Sequence, residues 1–251
     1  MKLSANSLAI AGALALLTAC GGGSGPAPAA TVASAAAAPA SATATPASAV
    51  PALPVSDSQT PAASKFSDCE QLTPGTKYTT SDGYSHVIGV EAFEGANVPA
   101  DVEFHPNGSR DSVYYRTIDA NFIHFLGNIQ YTGTGVAVEH EAYSSGAQIP
   151  VDMKPGQVLK FSYTKVMTQP SAAPLTTNVT TTFTFVGFED LTLGGHLFAN
   201  TCKIMQTDEK GLTEVFWMAK GYGPIREDSF DAQGVPVPNR QVALTAITSA
   251  P

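Results

Sequence analysis

The residues able to do chemistry are few, and their spacing limits what each could do. Five histidines, His86, His105, His124, His140 and His196, stand far apart, and none has the spacing of a metal motif. His140 lies between Glu139 and Glu141, the nearest approach to a histidine–carboxylate pair that could move protons in a hydrolase. The pattern H-E-x-x-H fails there because Ser144 occupies the place of the second histidine, and a solvated strand face accounts for the same charges. His124 alternates with Phe122 and Leu126, which suits a hydrogen-bonded, partly buried imidazole. Ser144-Ser145-Gly146 lacks the G-x-S-x-G elbow and reads as a turn, and the sequence holds no phosphate loop or dinucleotide fingerprint. Trp217 either stacks on a ligand or packs in the core. No catalytic residue, metal ligand or cofactor is assigned from these groups.

The three cysteines carry a clearer signal. Residues 1–19 run from a charged start through an apolar stretch, Leu8 to Leu17, to small residues, which is the pattern of a signal peptide and too short for a permanent membrane span. Leu17-Thr18-Ala19-Cys20 resembles the bacterial lipobox, and this resemblance implies cleavage before Cys20 and a diacylglyceryl group on its sulfur. Gly21 rather than Asp follows, which by analogy favours the outer membrane, with the domain facing the periplasm or the surface. Two cysteines then remain in an exported domain, so a Cys69–Cys202 disulfide is expected, pinning the start of the fold to a strand in its last third, with two separate buried thiols as the alternative.

Residues 20–64 consist almost entirely of Ala, Pro, Ser, Thr, Gly and Val, with Asp57 their sole charge. Such a segment buries too little apolar surface to offset its ordering entropy, so it reads as a disordered tether that holds a domain clear of the membrane. Residues 65–251 read as one β-rich domain. Short alternating runs are separated by turn chemistry, and no long 3.6-residue period occurs. The expected strands include His86 to Phe93, Val102 to His105 and Ser112 to Ile118 about Pro106-Asn107-Gly108, Phe122 to Tyr131, Val136 to Tyr143 and Val158 to Met167. Val179 to Phe188, His196 to Gln206, Val215 to Met218 and Gln241 to Ile247 complete about ten strands, the spacing rule then giving an all-β chain whose antiparallel sheet curls into a half-barrel or barrel. Within them Ile123, Phe125, Ile129 and Tyr131 are expected on one face with Gly127 marking a bulge or bend, and Phe198, Cys202 and Ile204 on another. Leu159, Phe161, Tyr163 and Met167 are expected to alternate inward. Gly221 and Gly223 read as a break in the ladder, and Arg226-Glu227-Asp228 as a solvated turn.

Gly194-Gly195-x-Leu197-Phe198, Cys202-Lys203 and Trp217-x-Ala219-x-Gly221-x-Gly223-x-Ile225-Arg226 together resemble a pattern of uncharacterised bacterial envelope lipoproteins. Leu72-Thr73-Pro74-Gly75-Thr76-x-Tyr78 is similar to the opening of their domain. The resemblance implies a curled antiparallel half-barrel related to periplasmic lipoprotein carriers, although this chain shows none of the amphipathic helices that lid those carriers. A net charge of -8 argues against nucleic acid and anionic membrane surfaces as partners. Three functions follow in order: a non-catalytic envelope lipoprotein whose tethered domain binds or positions another envelope component; a carrier or sensor of an apolar ligand, held in a concave cavity lined by Phe125, Tyr163, Phe198 and Trp217; and a hydrolase-like enzyme. The lipid anchor makes the membrane itself a partner.

Overall fold

The computed structural model describes residues 60–251, so the signal segment, Cys20 and most of the tether lie outside the described residues. Packing starts before Lys65, where the domain was expected to begin: Ala63 is buried and the Thr60 hydroxyl donates to the Leu197 carbonyl at 3.1 Å. A one-turn helix α1, Phe66–Cys69, leads into thirteen strands: β1 Lys77–Thr80, β2 Ser85–Phe93, β3 Ala96–Phe104, β4 Arg110–Ile118, β5 Phe122–Tyr131, β6 Ala137–Tyr143 and β7 Gln148–Pro150. The remainder are β8 Gln157–Thr168, β9 Leu175–Leu193, β10 His196–Asp208, β11 Thr213–Ala219, β12 Gly223–Phe230 and β13 Pro236–Ser249.

All neighbours pair antiparallel, in the order β4-β3-β2-β1-β13-β12-β11-β10-β9-β8-β6-β5, and β4 also pairs with β5. That last ladder closes a 12-strand barrel, with the short β7 added beside the first half of β5. The half-barrel implied by the family resemblance is therefore replaced by a closed circuit, which leaves no long open edge.

Two hairpins leave the wall and lie on its outer face. At the β2–β3 tip the Phe93 ring stacks on Tyr115 of β4 at 4.3 Å and meets His140 of β6 at 5.2 Å, while Glu94 pairs with His140 at 3.2 Å. Strands β2 and β6 are four places apart in the sheet, so the tip must cross over β4 and β5 to make these contacts. It covers an outer apolar cluster of Val98, Ala100, Val102, Val113 and Tyr115. The β9–β10 tip likewise reaches β13, where Gly194 lies so close that a Cβ there would fall 2.7 Å from the Thr245 carbonyl oxygen.

Bulges at glycines give the wall its bends. Tyr115 pairs with Gly127 and Arg116 with Phe125, so Leu126 is an extra residue; in the same way Lys203 pairs with Gly187 and Ile204 with Phe185, making Val186 extra. An extra residue reverses the alternation beyond it. Hence Ile123 and Phe125 point to one side of the wall while Ile129 and Tyr131 join the outer cluster, rather than all four sharing a face. A further bulge at Ala199–Asn200 separates Phe198, which packs with Tyr222, from Cys202. Strand β12 corrects another expectation: Gly223 begins it instead of ending the ladder, and Glu227 and Asp228 are buried strand residues instead of a solvated turn.

Gly127 has φ 151, and a Cβ there would sit 1.9 Å from the Glu141 carbonyl oxygen. Gly127→Ala is expected to cost on the order of 2–4 kcal/mol, since neither the torsion nor the backbone contact can be relieved cheaply. Gly89→Ala, on β2 with open space around it, is expected to change the urea midpoint little. Equal midpoints for the two variants would refute the bulge.

Candidate functional site

The lumen face of β3 and β4 is polar, which alternation alone did not foretell. Asp101 and Glu103 of β3 and Ser112, Tyr114 and Arg116 of β4 share a face opposite the outer cluster. Contacts with β12, five places from β4 in the sheet, show that this face looks across the barrel. A Cβ on Gly223 would lie 2.9 Å from Arg116 Nη2 and 3.9 Å from Asp101 Oδ2. Burial, then Glu103 and, from the far wall, Glu227 raise the Tyr114 hydroxyl well above its ordinary pKa.

Three polar groups lie in this interior, beside the buried Ile204, Phe216, Phe183 and Phe185, which share the face of Gln206 and Glu214. In the first, Arg116 forms a buried ion pair with Glu70, the residue after α1. His86 Nδ1 lies 3.1 Å from Asp101 Oδ1, its Nε2 3.8 Å from Glu103, and its ring is stacked on Tyr78 at 4.5 Å. Burial pushes Asp101 up, but the charge and hydrogen bond of His86 outweigh it, so its pKa is lowered. Ser112 donates to Glu103 Oε2 at 2.6 Å. In the second group, Glu141 of β6 accepts from Lys165 of β8, Asn128 of β5 and the Tyr143 hydroxyl. The third is a row across β10, β11 and β12, in which Gln206 faces Glu214 and Glu214 faces Ser229. All three are buried, and Gln206 Oε1, Glu214 Oε1 and Ser229 Oγ lack a protein hydrogen-bond partner. Burial and the nearby Glu227 raise the Glu214 pKa to about 8.

This row makes stability depend on pH. Folded Glu214 keeps its proton to about pH 8, whereas an unfolded glutamic acid loses it near 4.5, so the folded state binds more protons between those values. Stability from this group is complete below about 4.5 and is lost as pH rises to about 8. Glu214→Gln is expected to remove the decline, which amounts to on the order of 2–4 kcal/mol between pH 5 and 8. Parallel pH profiles of wild type and variant in urea titrations would contradict this assignment.

The residues singled out from sequence separate into distinct places. Cys69 and Cys202 are bonded, with Cα atoms 6.0 Å apart, and Phe66 of the same α1 packs on Phe185 and Phe183 at 4.9 and 6.0 Å. The Glu139-His140-Glu141 constellation is split by the pleat: Glu141 points into the lumen, while His140 turns outward to Glu94. Glu139 accepts from Gln169 at 3.0 Å. His124 pairs with Asp119 at 2.8 Å on the β4–β5 turn, and His105 with Asp111 at 3.1 Å. His196 begins β10 and its Nδ1 has no hydrogen-bond partner.

The four expected cavity residues do not converge. Phe198 and Trp217 belong to one cluster with Tyr78, Tyr222, Ile225 and Leu244, whereas Phe125 and Tyr163 lie outside it. Trp217 is 5% exposed, lies beneath Lys203 at 4.8 Å and Arg226 at 4.4 Å, and donates its indole N–H to Glu189 at 3.1 Å. Its ring is thus occupied by the protein's own cations. Tyr163 does face inward with Tyr143, at 5.2 Å between rings. Lys165, two residues further along the same alternation, is the inward position that the apolar reading of β8 missed.

No family model matches the sequence, and no curated protein matches it. Among solved structures, the crystal structure of the hypothetical lipoprotein YmcC from Escherichia coli aligns with a TM-score of 0.35 at 15% identity, covering 75% of this chain and 91% of that one.

Proposed function

We propose that the chain is a non-catalytic envelope lipoprotein, anchored through Cys20, whose tethered barrel binds or positions another envelope component. One observation favours this reading over a carrier of apolar ligands: the lumen holds buried, paired ionisable side chains, Glu70 with Arg116, His86 with Asp101 and Glu141 with Lys165. These pairs take up interior space that an apolar guest would need, and separating one to admit it would leave a group buried without its partner, at a cost of several kcal/mol. A filled lumen suits a rigid module that works through its outer surface. The lipobox, the low-complexity tether and the net charge supply the rest: an address in the cell envelope, by analogy the outer membrane, and reach away from the bilayer.

The test is crosslinking of the full chain in intact cells, followed by fractionation. Wild type is expected in the membrane fraction, crosslinked to a single envelope protein. Cys20→Ala is expected in the soluble fraction, because the acyl chains supply the membrane affinity. Membrane retention of Cys20→Ala without a crosslinked partner would overturn the reading.

A further inference from the structure

The second lumen group places an amine and an amide on one carboxylate. Asn128 of β5 stands directly opposite Glu141 of β6, and Lys165 of β8 stands opposite Tyr143, the next inward residue of β6. Glu141 Oε1 accepts from Lys165 Nζ at 2.5 Å and Oε2 from Asn128 Nδ2 at 2.9 Å. Tyr143 donates to the same Oε2 at 3.0 Å and accepts from Asn128 Nδ2 at 2.9 Å. Asn128, Glu141 and Lys165 are 1%, 4% and 5% exposed, and Asn128 Oδ1 is buried without a hydrogen-bond partner. Burial, then the Glu141 charge, raises the Tyr143 hydroxyl far above its ordinary pKa, so it stays a neutral donor.

We propose that Lys165 and Asn128 become joined by an amide bond between Nζ and Cγ, with Glu141 as the proton shuttle and ammonia as the leaving group. The reasoning is chemical. An amine attacks a carboxamide only when it has given up a proton and when the departing nitrogen gains one, and a single carboxylate touching both nitrogens can serve both needs. Glu141 Oε1 takes a proton from the Lys165 ammonium, and the free amine adds to Asn128 Cγ. Glu141 Oε2 then returns that proton to Nδ2, the Cγ–Nδ2 bond breaks to release ammonia, and the second Nζ proton passes through the same carboxylate to the ammonia, which leaves as ammonium while Nζ keeps one hydrogen as a secondary amide. Lysine ammonium plus carboxamide give amide plus ammonium, so atoms and charge balance and no oxidant or cofactor enters. Burial excludes competing water, and fixing both groups in the folded wall replaces a bimolecular collision. Strands β5 and β8 are separated only by β6, and although Lys165 stands two residues along β8 from Met167, the residue in line with Glu141 and Asn128, its Nζ and Asn128 Nδ2 both come to the one Glu141 carboxylate. The product would tie β5 to β8 across β6, a second covalent link beside the disulfide.

Peptide mapping of the reduced, alkylated full chain tests this. Trypsin cuts after Arg116, Lys160 and Lys165 but not at Lys154-Pro155, so an unlinked protein releases Thr117–Lys160 and the pentapeptide Phe161–Lys165. The linked protein is expected to give neither. It is expected to give one branched species joining Thr117–Lys160 to Phe161–Lys203, uncut at Lys165 and lighter by one ammonia than its two parts. The free pentapeptide in stoichiometric yield would overturn the proposal. Glu141→Gln is expected to restore both linear peptides, and persistence of the branched species in that variant would remove Glu141 from the role of shuttle. Should that variant fail to fold, the wild-type map still decides whether the bond exists.

Discussion

Cys69→Ala/Cys202→Ala is expected to lose about 5 kcal/mol of stability relative to the oxidised protein, from the loop entropy of a bond that spans 133 residues. For a domain of this size that corresponds to a fall in melting temperature on the order of 10–20 °C. The effect is large because the bond joins the first element of the fold to a strand near its end. It holds α1 where Phe66 packs on Phe183 and Phe185. Unreduced wild type, denatured and alkylated, is expected to leave Cys69 and Cys202 unlabelled until a reductant is added. An unchanged urea midpoint in the double variant, or labelling without reduction, would contradict the account.

Arg116→Met is the second large effect, expected to cost about 3–5 kcal/mol because it leaves Glu70 buried without its cation. Asp101 lies in the same field, since Arg116 helps to lower its pKa. Glu70→Gln/Arg116→Met is expected to recover part of the loss, so that the two changes combine far from additively. A double-mutant cycle in urea reads the coupling directly, and simple additivity would show that the pair is not an isolated buried contact. Glu70 follows Cys69 in sequence, so this pair and the disulfide clamp the same short segment to opposite parts of the wall.

Much of this architecture was legible because its signals are local. Asn107-Gly108 and Gly194-Gly195 announce turns by the torsions that only glycine adopts freely, and the alternation of His86 to Phe93 or of Val158 to Met167 announces strands. Cysteine parity gave the Cys69–Cys202 bond. What stayed hidden depends on contacts between distant strands. The bulges at Leu126-Gly127 and Val186-Gly187 exchange inside for outside partway along a strand, so one periodicity cannot describe β5 or β9. Strand β12 was missed because its charges look solvated until the wall around them is closed. The lumen is the clearest case. Asp101, Glu103, Ser112 and Arg116 alternate in the sequence as surface residues do, and only closure of β4 onto β5 turns that polar face inward, with Val102 and Val113 left to be covered by the β2–β3 hairpin. Lys165 carried a weak signal, standing as a charge on the inward side of a strand whose other inward residues are apolar or aromatic.

The central claim, that the barrel is a module packed with its own side chains, buried ion pairs among them, and not a container for an apolar guest, is tested most directly by native mass spectrometry. The full chain is purified from the cells that express it and treated with protease to release a fragment that begins N-terminal to Thr60. The expected spectrum shows the polypeptide alone, with its disulfide and any ammonia loss, and no added lipid or small apolar molecule. A discrete apolar ligand bound in stoichiometric amount would contradict the claim and return the lumen to the role of a carrier.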